Sequence, residues 1–285
     1  MPDLNAVDYS PLDVPEVLLR LFHPRAEISL ADIQPPARDL LIPVADNVVV
    51  GARFHPVAAD APTILFFHGN GEIVADYDEL APFYRRQGVN FFPVDYRGYG
   101  RSTGAPTVSA MMRDCHAILA FARQWLPEMG YRGPLIVMGR SLGSASALEL
   151  AAAYPGEVAA LIVESGFAYA GPLLQLLGIN LAAIGFKEMA GFRNVDKIRA
   201  YPGPTLIIHA EDDHIIPASD GHALYDASAA PDRTLLKIPH ANHNDILLQG
   251  FTAYMAAIQA LAARISRPCR GNRTFAPRPE SGTKR

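Results

Sequence analysis

The chain has 285 residues, 49% hydrophobic and 19% charged, with Lys+Arg 25 against Asp+Glu 29 for a formal net charge of −4. That length and apolar fraction exclude a mostly disordered protein and point to one domain with a sizeable core. The charge makes no case for nucleic-acid binding, and two cysteines, Cys115 and Cys269, exclude a disulfide framework and a cysteine-rich zinc site.

Residues 1–36 are Pro-studded and read as a loosely packed lead-in. Asp3, Asp8 and Asp13 stand where a secretory signal needs basic residues. No run reaches the ~20 apolar residues of a bilayer span, so a soluble, cytoplasmic protein with no transmembrane segment is expected. Arg38–Pro43 and Val48–His55 are strand-like, and Asp46-Asn47 between them reads as the turn of a hairpin. Short apolar runs follow at Thr63–Phe67, Val89–Val94, Leu135–Met138, Val158–Val163, Thr205–Ile208 and Thr234–Ile238. Runs of this kind suit strands buried on both faces of a parallel sheet.

Between the runs lie helical candidates near 76–87, 107–126, 142–153, 168–186, 219–229 and 245–265. In the last, Phe251, Tyr254, Met255, Ile258, Leu261, Ala262 and Ile265 recur at helical spacing and form one face. The alternation predicts an α/β fold over 37–265, a mostly parallel doubly wound sheet with an N-terminal antiparallel hairpin. The stretch 166–204 falls between two strands and reads as a short cap insertion. Its Leu173, Leu174, Leu176 and Leu177 either wall an acyl-chain pocket or pack as a core helix. Residues 266–285 hold six basic residues against one acid, Glu280, and read as a basic, disordered tail able to touch anionic membrane surfaces weakly.

The chemistry begins at Gly139-Arg140-Ser141-Leu142-Gly143, a G-x-S-x-G pentapeptide between an apolar run and a helix-like Ala145–Ala153. In that context a strand turns sharply into a helix and Ser141 is held with its hydroxyl exposed. A serine hydroxyl is a poor nucleophile until a base takes its proton and a third group orients that base. The run Leu206–Pro217 supplies acids just past a strand, and Leu235–Asp245 supplies histidines past the next. Their order, serine then acid then histidine, suits such a scaffold. Glu164, ending an earlier run, competes as the acid, and His240 competes with His243 as the base.

Taken together, His68-Gly69-Asn70-Gly71, Asp95–Ser102, Gly139–Gly143, His209–Pro217 and His243-Asn244-Asp245 resemble the α/β-hydrolases. The resemblance is to the small, nearly capless group that includes acyl-protein thioesterase-like and monoacylglycerol-lipase-like members. The family pattern over His209 to Pro217 selects Asp213, although Ala210 replaces the usual glycine. The pattern over His240 to Asp245 selects His243. The same likeness makes the backbone N–H of Asn70, with that of Leu142 at the elbow, the donors to a developing oxyanion.

The resemblance implies an α/β-hydrolase fold and a serine hydrolase that cleaves a small-molecule or lipid-like carboxylic ester or thioester. Ser141, His243 and Asp213 are its expected triad, and no metal or organic cofactor is implied. His209 and His214 flank three acids, Glu211, Asp212 and Asp213, but lack the helical spacing of a zinc site. A peptidase or amidase with the same triad, and a non-catalytic binding protein of this fold, stay open as alternatives.

Overall fold

The computed structural model describes residues 7–28 and 36–266. The tail from Arg267, with Cys269, lies outside the described residues; Cys115 is buried. Among the described residues eight strands form one sheet: β1 (Arg38–Ala45), β2 (Val48–Phe54), β3 (Thr63–Phe67), β4 (Asn90–Val94), β5 (Leu135–Arg140), β6 (Ala160–Glu164), β7 (Thr205–Ala210) and β8 (Arg233–Ile238). Their spatial order is β1-β2-β4-β3-β5-β6-β7-β8. β1 and β2 pair antiparallel about Asp46-Asn47, with Asn47 at φ 58, and β2 meets β4 antiparallel through Ala52 and Val94. From β4 to β8 every pairing is parallel.

The helices are α1 (Pro15–Leu21), α2 (Ala81–Arg86), α3 (Val108–Glu128), α4 (Gly143–Ala153), α5 (Ala170–Leu176), α6 (Asn194–Ala200), α7 (Ala218–Ala227) and α8 (Ile246–Ile265). β3 shows why the sheet is covered on both sides. All five of its residues are buried, with Leu65 and Phe67 facing one core cluster and Ile64 and Phe66 the other. Side chains alternate across a strand, so a continuous apolar run feeds two cores. Met111, Leu119, Leu148, Ile198 and Leu224, from α3, α4, α6 and α7, complete the first; Tyr84, Tyr254, Met255 and Ile258, from α2 and α8, complete the second.

Three expectations need correction. The lead-in is not loosely packed over residues 7–28: Leu12, Val17, Leu21 and Phe22 are buried in the first core cluster. Proline at the first position of α1 tolerates its missing N–H, so the Pro-rich composition started a helix there rather than preventing one. The helix expected over 168–186 ends at Leu176, ahead of Gly178 at φ 76, and α6 forms later in the same insertion. Finally, α8 is long and apolar enough to cross a membrane by length and composition. In the fold it packs on the sheet, with Tyr254, Ile258 and Leu261 buried.

The lead-in is also tied down by charge. Lys197 of α6 is fully buried, with Nζ 2.6 Å from Oε2 of Glu149 of α4 and donating to Tyr9 Oη at 2.9 Å. Tyr9 Oη donates in turn to Glu149 Oε2 at 3.0 Å, and His116 Nε2 lies 3.2 Å from Oε1. Burial pushes the Glu149 carboxyl up, but His116, Lys197 and Tyr9 together carry it down to about 2. Its stabilising contribution is therefore present at neutral pH and fades only as pH falls from the ordinary 4.5 toward about 2. Removing one member of a buried ion pair leaves the other uncompensated. Glu149→Gln should cost about 3–5 kcal/mol in denaturant unfolding, and adding Lys197→Met should recover part of that loss.

Candidate active site

β5 runs into α4 through two residues only. Ser141 sits at φ 51, a left-handed conformation rare for a residue with a Cβ, and Leu142 is already helical. Sterics explain both flanking glycines. A Cβ on Gly139 would lie 2.2 Å from the carbonyl oxygen of Gly143, and one on Gly143 would lie 2.1 Å from that of Phe67 in β3. The Ser141 N–H donates to the Glu164 carbonyl at 2.9 Å, and the Ser141 carbonyl accepts from Ser144 N at 3.0 Å and Ser144 Oγ at 2.6 Å. The backbone of the elbow is thus held from β6 and from α4.

Because β5, β7 and β8 run parallel, the loops after them open at one edge of the sheet. The structure brings Ser141, His243 and Asp213 together there. His243 Nε2 lies 2.9 Å from Ser141 Oγ, and Nδ1 lies 2.8 Å from Asp213 Oδ2. An ionised carboxylate only accepts, so Nδ1 carries the proton and the Nε2 lone pair faces the serine hydroxyl. Burial pushes the Asp213 carboxyl up. Hydrogen bonding and charge from His243, with Oδ1 accepting from Ile216 N at 2.8 Å and Ile215 N at 3.0 Å, more than offset this and hold it below the ordinary range.

The competing residues are placed elsewhere. His240 is exposed in the turn after β8, at φ 60. Glu164 is buried and engaged otherwise: Oε1 accepts from Arg140 Nε at 3.1 Å and Oε2 from Tyr254 Oη at 2.6 Å. His209 is buried, bonded through Nε2 to the Ile216 carbonyl at 2.9 Å, and burial lowers its pKa. Among the described residues no group of three or more His, Cys, Asp or Glu side chains is arranged to hold a metal ion.

The loop after β3 carries His68-Gly69-Asn70-Gly71. Neither the backbone N–H of Asn70 nor that of Leu142 has an acceptor among the described residues, and both residues line the pocket over Ser141. The Asn70 side chain is engaged at both its oxygen and its nitrogen. Its Oδ1 accepts from His23 N and Tyr99 Oη, each at 2.8 Å, and its Nδ2 lies 3.1 Å from His23 Nδ1. His68 packs beneath, its Nδ1 2.7 Å from the Gly69 carbonyl.

That pocket has a volume of about 300 Å³, with Leu21, His23, Leu173, Leu177 and Ile215 among its walls. A second hollow of about 290 Å³, bounded by Phe167, Pro172, Leu176 and Ile216, shares Leu173 and Ile215 with it. Sequence reasoning missed Leu21 and His23, which precede the sheet, and also Glu72 and Arg140. Arg140 stood inside the motif, but only the fold reveals what a strand-end arginine touches.

The order of the sheet, the left-handed serine between a strand and a helix, and the placement of acid and histidine after β7 and β8 define one architecture. The chain has the α/β-hydrolase fold. A family model described as serine aminopeptidase, S33, matches residues 59–189. Human alpha/beta hydrolase domain-containing protein 17B is 35% identical over 196 residues, covering 66% of this chain and 62% of that protein. The chain thus spans about three fifths of that relative's length. An Arabidopsis thaliana protein, alpha/beta hydrolase domain-containing protein WAV2, is 29% identical over 233 residues, covering 76% of this chain and 75% of the other.

Solved α/β-hydrolases superpose over most of the chain. The Pyrococcus furiosus esterase Pf2001 aligns with a TM-score of 0.69 at 17% identity, covering 86% of this chain and 100% of that one. A soluble variant of Saccharomyces cerevisiae monoglyceride lipase in complex with a substrate analog gives 0.64 at 17% identity, over 84% and 98%. At such identities these likenesses speak for the α/β-hydrolase fold alone.

The glycine geometry makes a direct prediction. Gly143→Ala forces backbone movement between α4 and β3, so it should lower stability by about 1–3 kcal/mol. Gly156→Ala, with nothing within 4 Å of the new Cβ, should leave the unfolding midpoint unchanged.

Proposed function

We propose that this α/β-hydrolase is a serine hydrolase that cleaves a carboxylic ester or thioester through an acyl-enzyme intermediate. The observation that carries the reading is the unbroken chain from Ser141 Oγ through His243 to Asp213, at 2.9 and 2.8 Å. His243 Nε2 takes the proton as Ser141 Oγ attacks the carbonyl carbon, then gives it to the leaving alcohol or thiol. Asp213 holds the Nδ1–H tautomer and opposes the positive charge that develops on the ring. Asn70 and Leu142 offer their unpaired backbone N–H groups to the oxyanion, a role worth about 3–4 kcal/mol per donor in comparable sites. A water activated by His243 Nε2 then attacks the acyl-enzyme and releases the acid. The apolar walls Leu21, Leu173, Leu177 and Ile215 suit the acyl portion of the substrate.

A second reading, cleavage of an amide by the same groups, is favoured by one finding, the match to a family described as serine aminopeptidase. Hydrolysis of p-nitrophenyl esters from acetyl to palmitoyl, run beside aminoacyl p-nitroanilides, separates the two. A pocket of about 300 Å³ lies at the small end for ligand sites, so octanoyl and shorter esters should be turned over faster than palmitoyl. Anilide turnover exceeding ester turnover would replace the ester reading. If no Ser141-dependent turnover is found and a fluorophosphonate leaves Ser141 unlabelled, the fold serves binding rather than catalysis.

The roles fix the sizes of mutational effects. Ser141→Ala or His243→Ala should lower turnover by roughly 10⁴–10⁶, and the double variant should be hardly worse than either. Asp213→Asn should cost on the order of 10⁴ by stabilising the wrong His243 tautomer. A normal rate in Asp213→Asn combined with a collapse in Glu164→Gln would transfer the acid's role to Glu164.

A further inference from the structure

Arg140 immediately precedes Ser141, and its side chain is only 11% exposed. Its three nitrogens reach three different parts of the molecule. Nε donates to Glu164 Oε1 at 3.1 Å at the end of β6, Nη1 to Glu72 Oε1 at 2.5 Å in the loop after β3, and Nη2 to the carbonyl oxygen of His243 at 2.8 Å. Glu72 passes the restraint on, because its Oε2 accepts from Gly69 N and from Tyr77 Oη, each at 2.6 Å. Glu164 passes it to α8 and α2, through Tyr254 Oη at 2.6 Å and the 2.9 Å contact of that hydroxyl with Tyr84 Oη.

We propose that Arg140 is a positioning residue that fixes two loops of the site against the elbow: the loop that presents the Asn70 N–H, through Glu72 and Gly69, and the loop that presents the His243 ring, through its carbonyl. The proposal rests on the serine-hydrolase reading. Gly69 is part of the device, since a Cβ there would lie 2.7 Å from Arg140 Nη1 and 3.0 Å from Glu72 Oε2. A buried guanidinium needs acceptors for its N–H groups whatever its task, so the role follows from which acceptors it meets. Here the third arm is spent on the backbone of the residue whose ring must meet Ser141 Oγ. Lysine has one nitrogen and no fixed fork, so it cannot hold all three partners in one plane. The cationic charge is secured by burial being outweighed: Glu72 and Glu164 hold the guanidinium protonated well above its ordinary range.

The neighbourhood offers a test that a purely structural role would fail. A hollow of about 300 Å³, bounded by Glu72, Tyr77, Tyr84, Arg140, Glu164 and Asn244, opens beside the guanidinium. In Arg140→Ala a small guanidinium ion has both a route and two carboxylates waiting for it.

The experiment follows Ser141 labelling by a fluorophosphonate, and kcat and KM on a short p-nitrophenyl ester, in wild type, Arg140→Lys and Arg140→Ala, with folding checked by circular dichroism. Misplacement of reacting groups by about 1 Å costs on the order of 100-fold, so labelling rate and kcat should fall about 10–100-fold in both variants. KM should stay within about threefold, since the guanidinium nitrogens are taken by Glu164, Glu72 and the His243 carbonyl although Arg140 borders the pocket. Methylguanidinium should restore much of the rate to Arg140→Ala and none to Ser141→Ala. Labelling of folded Arg140→Lys at the wild-type rate would overturn the proposal. So would a raised KM at unchanged kcat, which would make Arg140 a substrate-binding group, or a folded Arg140→Ala indifferent to methylguanidinium. If Arg140→Ala does not fold, Arg140→Lys decides. Wild type that fails to label at Ser141 brings down the serine-hydrolase reading itself; labelling that ignores Arg140 brings down the positioning role alone.

Discussion

Backbone meets backbone where β5 becomes α4, and no side chain fits between them. The Gly139 and Gly143 contacts press the first turn of α4 against the end of β3, so the loop leaving β3 must pass beside Ser141. That approach brings the backbone at Ser141 beside the loop carrying Asn70, and the Arg140–Glu72 pair adds a side-chain tie between elbow and loop. The parallel pairing of β5 through β8 does the rest by delivering the loops after β7 and β8 to the same edge. Strain at one residue is tolerable because its neighbours over-determine it: the Ser141 N–H is taken by Glu164 and its carbonyl by Ser144.

The two carboxylates near the site are separated by their surroundings. Asp213 accepts two backbone N–H groups and the His243 ring, and these outweigh its burial and keep it ionised. Glu164 is wholly buried, which pushes its pKa up, with Arg140 and Tyr254 pulling against that push. Among the described residues Asp213 is the carboxylate that meets the His243 ring, Oδ2 lying 2.8 Å from Nδ1. Glu164 serves the frame instead: its backbone carbonyl holds Ser141, and its side chain holds Arg140. The same residue that competes for the acid's role in the sequence therefore anchors the elbow in the fold.

What was legible in the sequence follows from range. The strands β3 to β7 contain continuous apolar runs buried on both faces, and β8, at the sheet edge and only partly buried, still carries Leu235, Leu236 and Ile238, so their positions agree to within a residue or two at most ends. The G-x-S-x-G pattern was legible because its glycines answer to a local steric demand. By contrast, the appearance of α6 depends on packing against α4, as the buried Lys197–Glu149 pair shows, and a propensity pattern over 166–204 does not contain that. The choice of His243 over His240 rested on likeness. Geometry now separates them, because His240 turns out at a positive φ while His243 is buried. Arg140, Glu72 and His23 were invisible as site residues, since each works across tens of residues of chain.

The segment ahead of the sheet shows how far such long-range ties reach. Arg20 donates to the Leu177 carbonyl at 2.8 Å, joining α1 to the end of α5, and Arg25 donates to the Gly71 carbonyl at 2.7 Å while pairing with Asp76. Between those two clamps lie Leu21 and His23, the first walling the pocket and the second gripping Asn70. A short insertion like 166–204 leaves a site open on the side that a larger cap covers. Here the missing wall comes from the other end of the chain. The width of the pocket is therefore set by how firmly α1 is held against α5, and the aim of the Asn70 N–H by how firmly His23 holds the Asn70 amide. Leu12, Val17 and Phe22 anchor that segment in the core, so a Pro-rich stretch with no motif of its own forms part of the candidate site.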